Sequence, residues 1–365
     1  MEGLFLGPLG ERHTVARQAS SISLALSEID KRIVRLQSLA IEASTRKRYM
    51  TGARSYVKFC YNFHLPLDPT PTTLARYIAY TSRSIASGPK YLTGVRHFLR
   101  DIYPDFDKNR ASAFVQTTIR GSVKLRADPV RRKEPLRIHH LILFNNLASE
   151  SKSYDDMLFA TILSLAFFAC HRIGELVVPN DKSLFDWRKI IKRSSIVFSN
   201  RRIQYTLPYH KGDPFYRGTL IMHMSHPEVD PVSMLSAYLL MRDRLHQGRP
   251  ALFIREDGSL PSRSWFDNRF FKYLSRTEFG GHSARSGGAT YYAGLGLSED
   301  VIQALGRWSS ATWKIYVRDN PTIRAELQLA SLRNATPIFS HLHHPPHTHI
   351  HTPIAPSRGA LTVSI

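Results

Sequence analysis

A mainly α-helical chain carrying one small antiparallel β-sheet, organised as two domains, is the fold class this sequence predicts. Three observations carry that expectation. Apolar residues recur at helical spacing along most of the 365 residues. Three short runs rich in branched and aromatic residues interrupt the period between 195 and 223. Near residue 130, two prolines bracket a basic triplet in a stretch with no apolar period. Hydrophobic residues are 42 % and aromatics 11 % of the chain, which supplies a sizeable core and excludes a disordered protein.

Taken in order, residues 1–17 hold three glycines, a proline and no sustained period, and read as a loose leader. Ile22, Leu24, Leu26, Ile29, Ile33, Leu36 and Ile41 predict a helix over 22–41, so 1–43 is read as leader and N-terminal helix. Ser44-Thr45 offers an N-cap for a second helix that stops before Pro66, and further helices fit 72–85, 89–102 and 110–125. Together they make a helical domain over 44–126, followed by a basic linker over 127–136. Helices at 138–148 and 154–170 open the second domain, 137–336. The strand runs 195–199, 203–208 and 219–223 follow. Helical patterns resume at 231–245, 262–279, 282–294, 298–305 and 311–316, with one more after Pro321. Residues 337–365 contain the Pro- and His-rich string SHLHHPPHTHIHTPIAPSRG and read as a disordered tail rather than a metal site.

Charge narrows the partner. Lys and Arg number 50 against 29 Asp and Glu, for a net +21. Between Ser44 and Lys133 there are 18 Lys and Arg but only 5 Asp and Glu, interleaved with tyrosines. That imbalance suits a surface gripping phosphates, with Arg46, Lys47, Arg48, Arg54, Lys90, Arg96, Arg131, Arg132 and Lys133 as the candidate contacts to double-stranded DNA. The longest stretch free of Asp, Glu, Lys, Arg and His, 157–170, has 14 residues, too short to span a bilayer, and reads as a buried core helix. Cys60 and Cys170 are the only cysteines, which rules out a disulfide scaffold. No HExxH, CxxC pair, Walker A string or dinucleotide glycine loop occurs, so neither metal nor nucleotide cofactor is expected.

What remains for chemistry is a set of basic residues at turns. The apolar helix ends in HRIGEL, which places Arg172 where the chain leaves the core, with Glu175 three residues on. Lys211 lies in HKGDPFYRG between two strand runs, at a hairpin tip. His282 and Arg285 share one turn at a helix start. Trp308 and Tyr316 follow on the last helices. Each has an ordinary structural account by itself: an ion pair, an exposed turn, an N-cap, core aromatics.

Their order is what matters. Arg, Lys on a hairpin, His-x-x-Arg, Trp and Tyr resemble the active site of the tyrosine recombinase (phage-integrase-type) family. HRIGEL resembles its first arginine box, and GHSARSGGATYYAGLGLSEDVIQALGRWSSATWKIYVR resembles the second box through the nucleophile, in the form found in eukaryotic mobile elements such as DIRS-like retroelements and Cryptons. HKGDPFYRG resembles the lysine hairpin of that branch. The resemblance covers roughly 44–334 and implies a helical core-binding domain ahead of a tyrosine-recombinase catalytic domain.

It also implies roles. Arg172 and Arg285 would neutralise the phosphate as charge builds in the transition state, with forked donors that Lys cannot copy. Trp308 would donate an indole N–H, His282 would accept a proton, Lys211 would protonate the leaving oxygen, and Tyr316 would attack. Glu175 would orient Arg172 rather than touch DNA. The expected function is a site-specific DNA recombinase or integrase of a mobile element, forming a 3′-phosphotyrosyl intermediate without metal or ATP. It would act as a homotetramer on two DNA sites, in the nucleus and with no membrane segment. A domesticated DNA-binding protein without activity, or a type IB topoisomerase-like relaxer, are the alternatives.

Overall fold

In the computed structural model the described residues are 26–85, 87–125, 132–199 and 201–310. The described residues divide into two compact units, one of those up to Arg132 together with Val178–Trp187, the other of Lys133–Val177 and those from Arg188 to Ser310. The fold is mainly helical with a three-stranded antiparallel sheet, as the sequence predicts.

The first unit contains α1 (Leu26–Leu39), α2 (Ala43–Asn62), α3 (Pro71–Ser82), α4 (Gly88–Leu99), α5 (Phe106–Ala111) and α6 (Ala113–Leu125). Its core joins Tyr56, Phe59 and Cys60 of α2 to Leu74, Tyr77 and Ile78 of α3, Leu92 and Val95 of α4, Phe106 and Val115. Thr70 caps α3 by accepting from the Thr73 N–H at 3.2 Å, and Pro71 occupies the first turn, where its missing donor costs nothing. Two glycines let α2 and α4 pack backbone to backbone: a Cβ at Gly52 would lie 2.6 Å from the Tyr91 carbonyl, and one at Gly94 would strike that of Tyr49. The single helix expected over 110–125 is instead two. Ser112 turns extended (ψ 145°) and its hydroxyl accepts from Val115 N–H at 3.4 Å, ending α5 and starting α6.

The second unit is built round α8 (Tyr154–Phe168), which follows α7 (Ile138–Ser151). Ser153 caps α8 through the Asp156 N–H, and nearly every residue of the helix is buried, as the charge-free stretch predicts. After α9 (Ile173–Leu176) come strands β1 (Val197–Ser199), β2 (Arg202–Leu207) and β3 (Thr219–Met224) in the order β1-β2-β3, with Tyr205 opposite Ile221 and Ile203 opposite His223. Three short 3₁₀ turns between Lys182 and Ser195, which the sequence did not indicate, lead into the sheet. Helices α10 (Pro231–Leu245), α11 (Arg263–Tyr273), α12 (Ser283–Gly294) and α13 (Glu299–Leu305) complete the unit.

Here α11 stops six residues short of the expected 279. Leu274 turns extended (ψ 141°), and Lys133 donates to the carbonyls of Arg276 and Thr277 at 2.6 and 2.9 Å. The end of the segment read as linker is thus built into this unit: the Glu134 N–H donates to the Glu278 carbonyl, the Leu136 N–H to that of Ser283, and Leu136 is fully buried. The leader, the helices expected at 311–316 and after Pro321, and the His-rich tail lie outside the described residues.

Candidate active site

The end of α8 sets the first half of the site. Cys170 adopts a left-handed backbone (φ 47°), so the chain reverses and presents His171 and Arg172 at the start of α9. Glu175 folds back along that turn. Its Oε1 accepts from Arg172 Nη1 at 3.0 Å, and its Oε2 accepts from the Arg172 backbone N–H at 3.2 Å and lies 2.9 Å from His171 Nδ1. Burial works against ionisation of this carboxyl, but the His171 hydrogen bond and the charges of Arg307 and Arg172 outweigh it and hold Glu175 well below the usual carboxylate range.

The second half comes from α12 and α13. Gly287 and Gly288 have no side chain because α12 lies directly on α8: a Cβ at Gly288 would strike the Phe167 carbonyl and one at Gly287 the Leu136 carbonyl. This contact, not a nucleotide loop, accounts for the glycine pair. One turn earlier Arg285, 1 % exposed, donates to the carbonyls of Cys170 and Gly306. The Trp308 ring lies 4.1 Å from its guanidinium carbon, and a side chain at Gly306 would collide with that ring. Burial, then the nearby charges of Arg172 and Arg307, bring Arg285 down to about 10, still protonated at neutral pH.

Arg307 has a left-handed backbone (φ 55°). It donates to the Ala169 carbonyl at 3.2 Å and to Glu175 Oε2 at 3.1 Å. His282, exposed at the start of α12, is held below its ordinary range by partial desolvation and by the charges of Arg285, Arg172 and Arg263. The structure therefore brings together Arg172, Glu175, Arg285, His282 and Trp308 from the sequence reading, and adds His171 and Arg307. Only the adjacency of His171 to Arg172 and of Arg307 to Trp308 pointed to these two.

Lys211 is exposed in the turn between β2 and β3. Asp213 organises that turn by accepting from the backbone N–H groups of Phe215, Arg217 and Gly218 at 3.3, 3.4 and 2.9 Å. Beside it, Tyr209 and Tyr216 pack with ring centroids 5.2 Å apart, with Lys189 and Arg188 over their faces. His210, the residue before Lys211, lies with its Nε2 2.9 Å from Thr219 Oγ1 and is held below its ordinary range by burial and then by the charge of Arg307. Tyr316 lies outside the described residues.

In the helical unit Arg46, Arg48, Arg54 and Lys90 are exposed. Lys47 is ion-paired with Asp181, and Arg96 makes a forked pair with Asp107 at 2.6 and 2.7 Å, so those two charges already have carboxylate partners. Arg132 is exposed, Lys133 caps carbonyls as described, and Arg131 lies outside the described residues. Among the described residues no group of three or more His, Cys, Asp or Glu is arranged to hold a metal ion, and no helix is long and apolar enough to cross a membrane.

No protein-family model matches the sequence, and no curated protein matches it. Solved structures do. The XerH site-specific recombinase bound to a palindromic difH substrate aligns with a TM-score of 0.52 at 14 % identity, covering 79 % of each chain. The Tn1549 transposon integrase in complex with transposon right end DNA aligns with a TM-score of 0.53 at 11 % identity, covering 86 % of this chain and all of that one. The same integrase with circular intermediate DNA gives 0.50 at 13 % identity. The fold is that of the tyrosine recombinase catalytic and core domains.

Proposed function

We propose that this chain is a DNA strand transferase of the tyrosine recombinase type, a site-specific recombinase or integrase encoded by or derived from a eukaryotic mobile element of the DIRS-like or Crypton-like kind. The observation that carries the reading is a cluster of three guanidinium groups round one carboxylate: Arg172 and Arg307 bond to Glu175, and Arg285, held by the carbonyls of Cys170 and Gly306, feels the charges of both arginines. Such a cluster keeps an excess of positive charge in a partly desolvated place, which suits a phosphate whose charge grows during reaction. The folds it resembles, XerH and the Tn1549 integrase, were both solved bound to DNA, which supports duplex DNA as the partner.

In this reading Tyr316 attacks the phosphodiester and takes the 3′-phosphoryl group. Arg172 and Arg285 stabilise the non-bridging oxygens, and Trp308 holds Arg285 through its ring face. Lys211 gives a proton to the leaving 5′-oxygen, and His282, neutral near pH 7, is available to take the phenol proton. One phosphoester replaces another, so the exchange is close to isoenergetic and requires no ATP. Two duplexes exchange strands within a homotetramer, in the nucleus, with exposed Arg46, Arg48, Arg54 and Lys90 of the helical unit on the duplex backbone.

The test is incubation with supercoiled and with short nicked DNA. A covalent protein–DNA adduct that disappears in Tyr316→Phe is expected, and sequencing the trapped DNA gives the target. Relaxation with no recombinant product would identify a topoisomerase-like relaxer instead. Absence of any adduct alongside tight binding would identify a DNA-binding protein without strand transfer.

A further inference from the structure

Behind Glu175 runs a buried line of hydrogen-bonding groups that the strand-transfer chemistry does not itself use. His171 and Tyr205 are fully buried and His223 is 2 % exposed. His171 Nδ1 lies 2.9 Å from Glu175 Oε2, His171 Nε2 lies 2.8 Å from the Tyr205 hydroxyl, and that hydroxyl lies 3.3 Å from His223 Nε2.

The directions follow from one end. An ionised carboxylate only accepts, so Nδ1 of His171 carries the proton. Arg307 Nη2, 3.2 Å from the same nitrogen, then cannot donate to it, and both groups donate side by side to Glu175 Oε2. Nε2 of His171 is left bare and accepts from the Tyr205 O–H. The Tyr205 oxygen in turn accepts from Nε2–H of His223, whose Nδ1 is buried without a partner. Burial keeps both imidazoles neutral at pH 7, His171 falling to about 4 and His223 well below its ordinary value. With both rings neutral, each group in the line has one permitted orientation.

Tyr205 belongs to β2 and His223 to β3, the two strands that carry the Lys211 turn between them. The line therefore connects the lysine-bearing sheet to the arginine box through a single histidine.

We propose that His171 is a positioning residue, locked in its Nδ1–H form by Tyr205 and His223, that sets Glu175 and through it Arg172 and Arg307, and that this line couples the strands bearing Lys211 to the arginines. The inference rests on the strand-transfer reading for its effect on rate, but not for its account of the protonation pattern.

Single-turnover adduct formation on a nicked duplex, measured beside affinity for the same duplex, tests the effect on rate. Tyr205→Phe keeps the ring and removes only the hydroxyl; the adduct rate should fall about tenfold or more, the scale of lost supporting hydrogen bonds, with affinity unchanged. His171→Asn places an amide N–H where Nδ1–H lay, whereas His171→Gln places one nearer Nε2 and His171→Leu keeps volume alone. Asn should retain most of the rate and Gln and Leu little. Tyr205→Phe should cost nothing further in the His171→Asn background, because Asn does not reach Tyr205. Leu and Gln outperforming Asn, or additive losses, would show that the ring serves packing only and overturn the proposal. ¹⁵N NMR of labelled imidazoles provides a readout independent of activity. Neutral His171 protonated on Nδ1, becoming a mixture of both forms in Tyr205→Phe, is expected; an Nε2–H or imidazolium form in the wild type at pH 7 overturns the proposal. A wild type that shows the expected pattern yet forms no adduct sinks the strand-transfer reading and leaves the line intact.

Discussion

Replacing Glu175 with Gln removes one negative charge from the point where three cationic or donor side chains meet. The Glu175 side chain is 6 % exposed, that of Arg307 8 % and that of Arg172 28 %. At roughly 4 Å and an effective dielectric near 20, each charge contact is on the order of 4 kcal/mol before desolvation, and the part-exposed Arg172 contact is screened below that. Gln also turns one acceptor into an N–H₂ facing donors. Loss of one partner from a buried ion pair costs about 3–5 kcal/mol, a large share of a typical total of about 5–15 kcal/mol. Urea unfolding at pH 7, followed by the transition of the unit that holds the site, should show a loss of that size. The sign with pH is also fixed. Glu175 is depressed in the folded state, so its contribution is complete above the unfolded value near ~4.3 and is lost as pH falls toward the folded one. The gap between wild type and variant should accordingly close in acid. A loss under about 1 kcal/mol at pH 7, the level of an exposed pair, refutes the buried node.

Gly288→Ala should destabilise by about 1–3 kcal/mol or more, since its Cβ strikes the Phe167 carbonyl and lies 2.9 Å from Cys170 Sγ; Gly121→Ala, with nothing within 4 Å, should be neutral or slightly stabilising, and equal effects in thermal melts would contradict the close packing. Stability should fall as pH drops below about 6.5, because His171 goes from about 6.5 unfolded to about 4 folded and its roughly 3 kcal/mol is present above the first value and lost through the second. His223 acts in the same direction. A denaturation midpoint flat across that range refutes the buried neutral histidines, and His171→Leu should shallow the slope. Lys211→Ala should slow cleavage of ordinary DNA far more than cleavage of a substrate with a 5′-thio leaving group, which needs no proton; equal losses refute the general-acid role.

Local physics made the architecture readable, and distance hid the rest. The stretch 157–170 has no charge to expose, so its burial follows from composition. Ser153, Ser262 and Ser298 announce helix starts because a hydroxyl at that place satisfies an otherwise unpaired N–H. By contrast, the apolar residues Phe271, Leu274 and Phe279 continue a helical period past the true end of α11; the stop involves Lys133, 143 residues away. The break at Ser112 was missed because serine is tolerated within a helix as well as at its start. Arg172, Lys211, His282, Arg285 and Trp308 could be named from local strings, but the roles of His171, Tyr205 and Arg307 depend on contacts of 34 to 136 residues in sequence separation, which no local pattern encodes.

The same long-range contacts set the charge balance of the site. Arg172, Arg285 and Arg307 against Glu175 leave two positive charges with His171 and His282 neutral. A phosphodiester in its ground state carries one negative charge, and a phosphorane-like transition state approaches two. A cluster with an excess of two therefore interacts more strongly with the transition state than with the substrate, and only such a difference raises the rate of the chemical step. Were His171 protonated, the excess would rise to three and the preference for the transition state would come with tighter holding of the ground state and product as well. On the proposed strand-transfer reading, keeping that imidazole neutral by burial and by the Tyr205 hydroxyl would match the arginines to the phosphate, with Glu175 as the group through which the match is made.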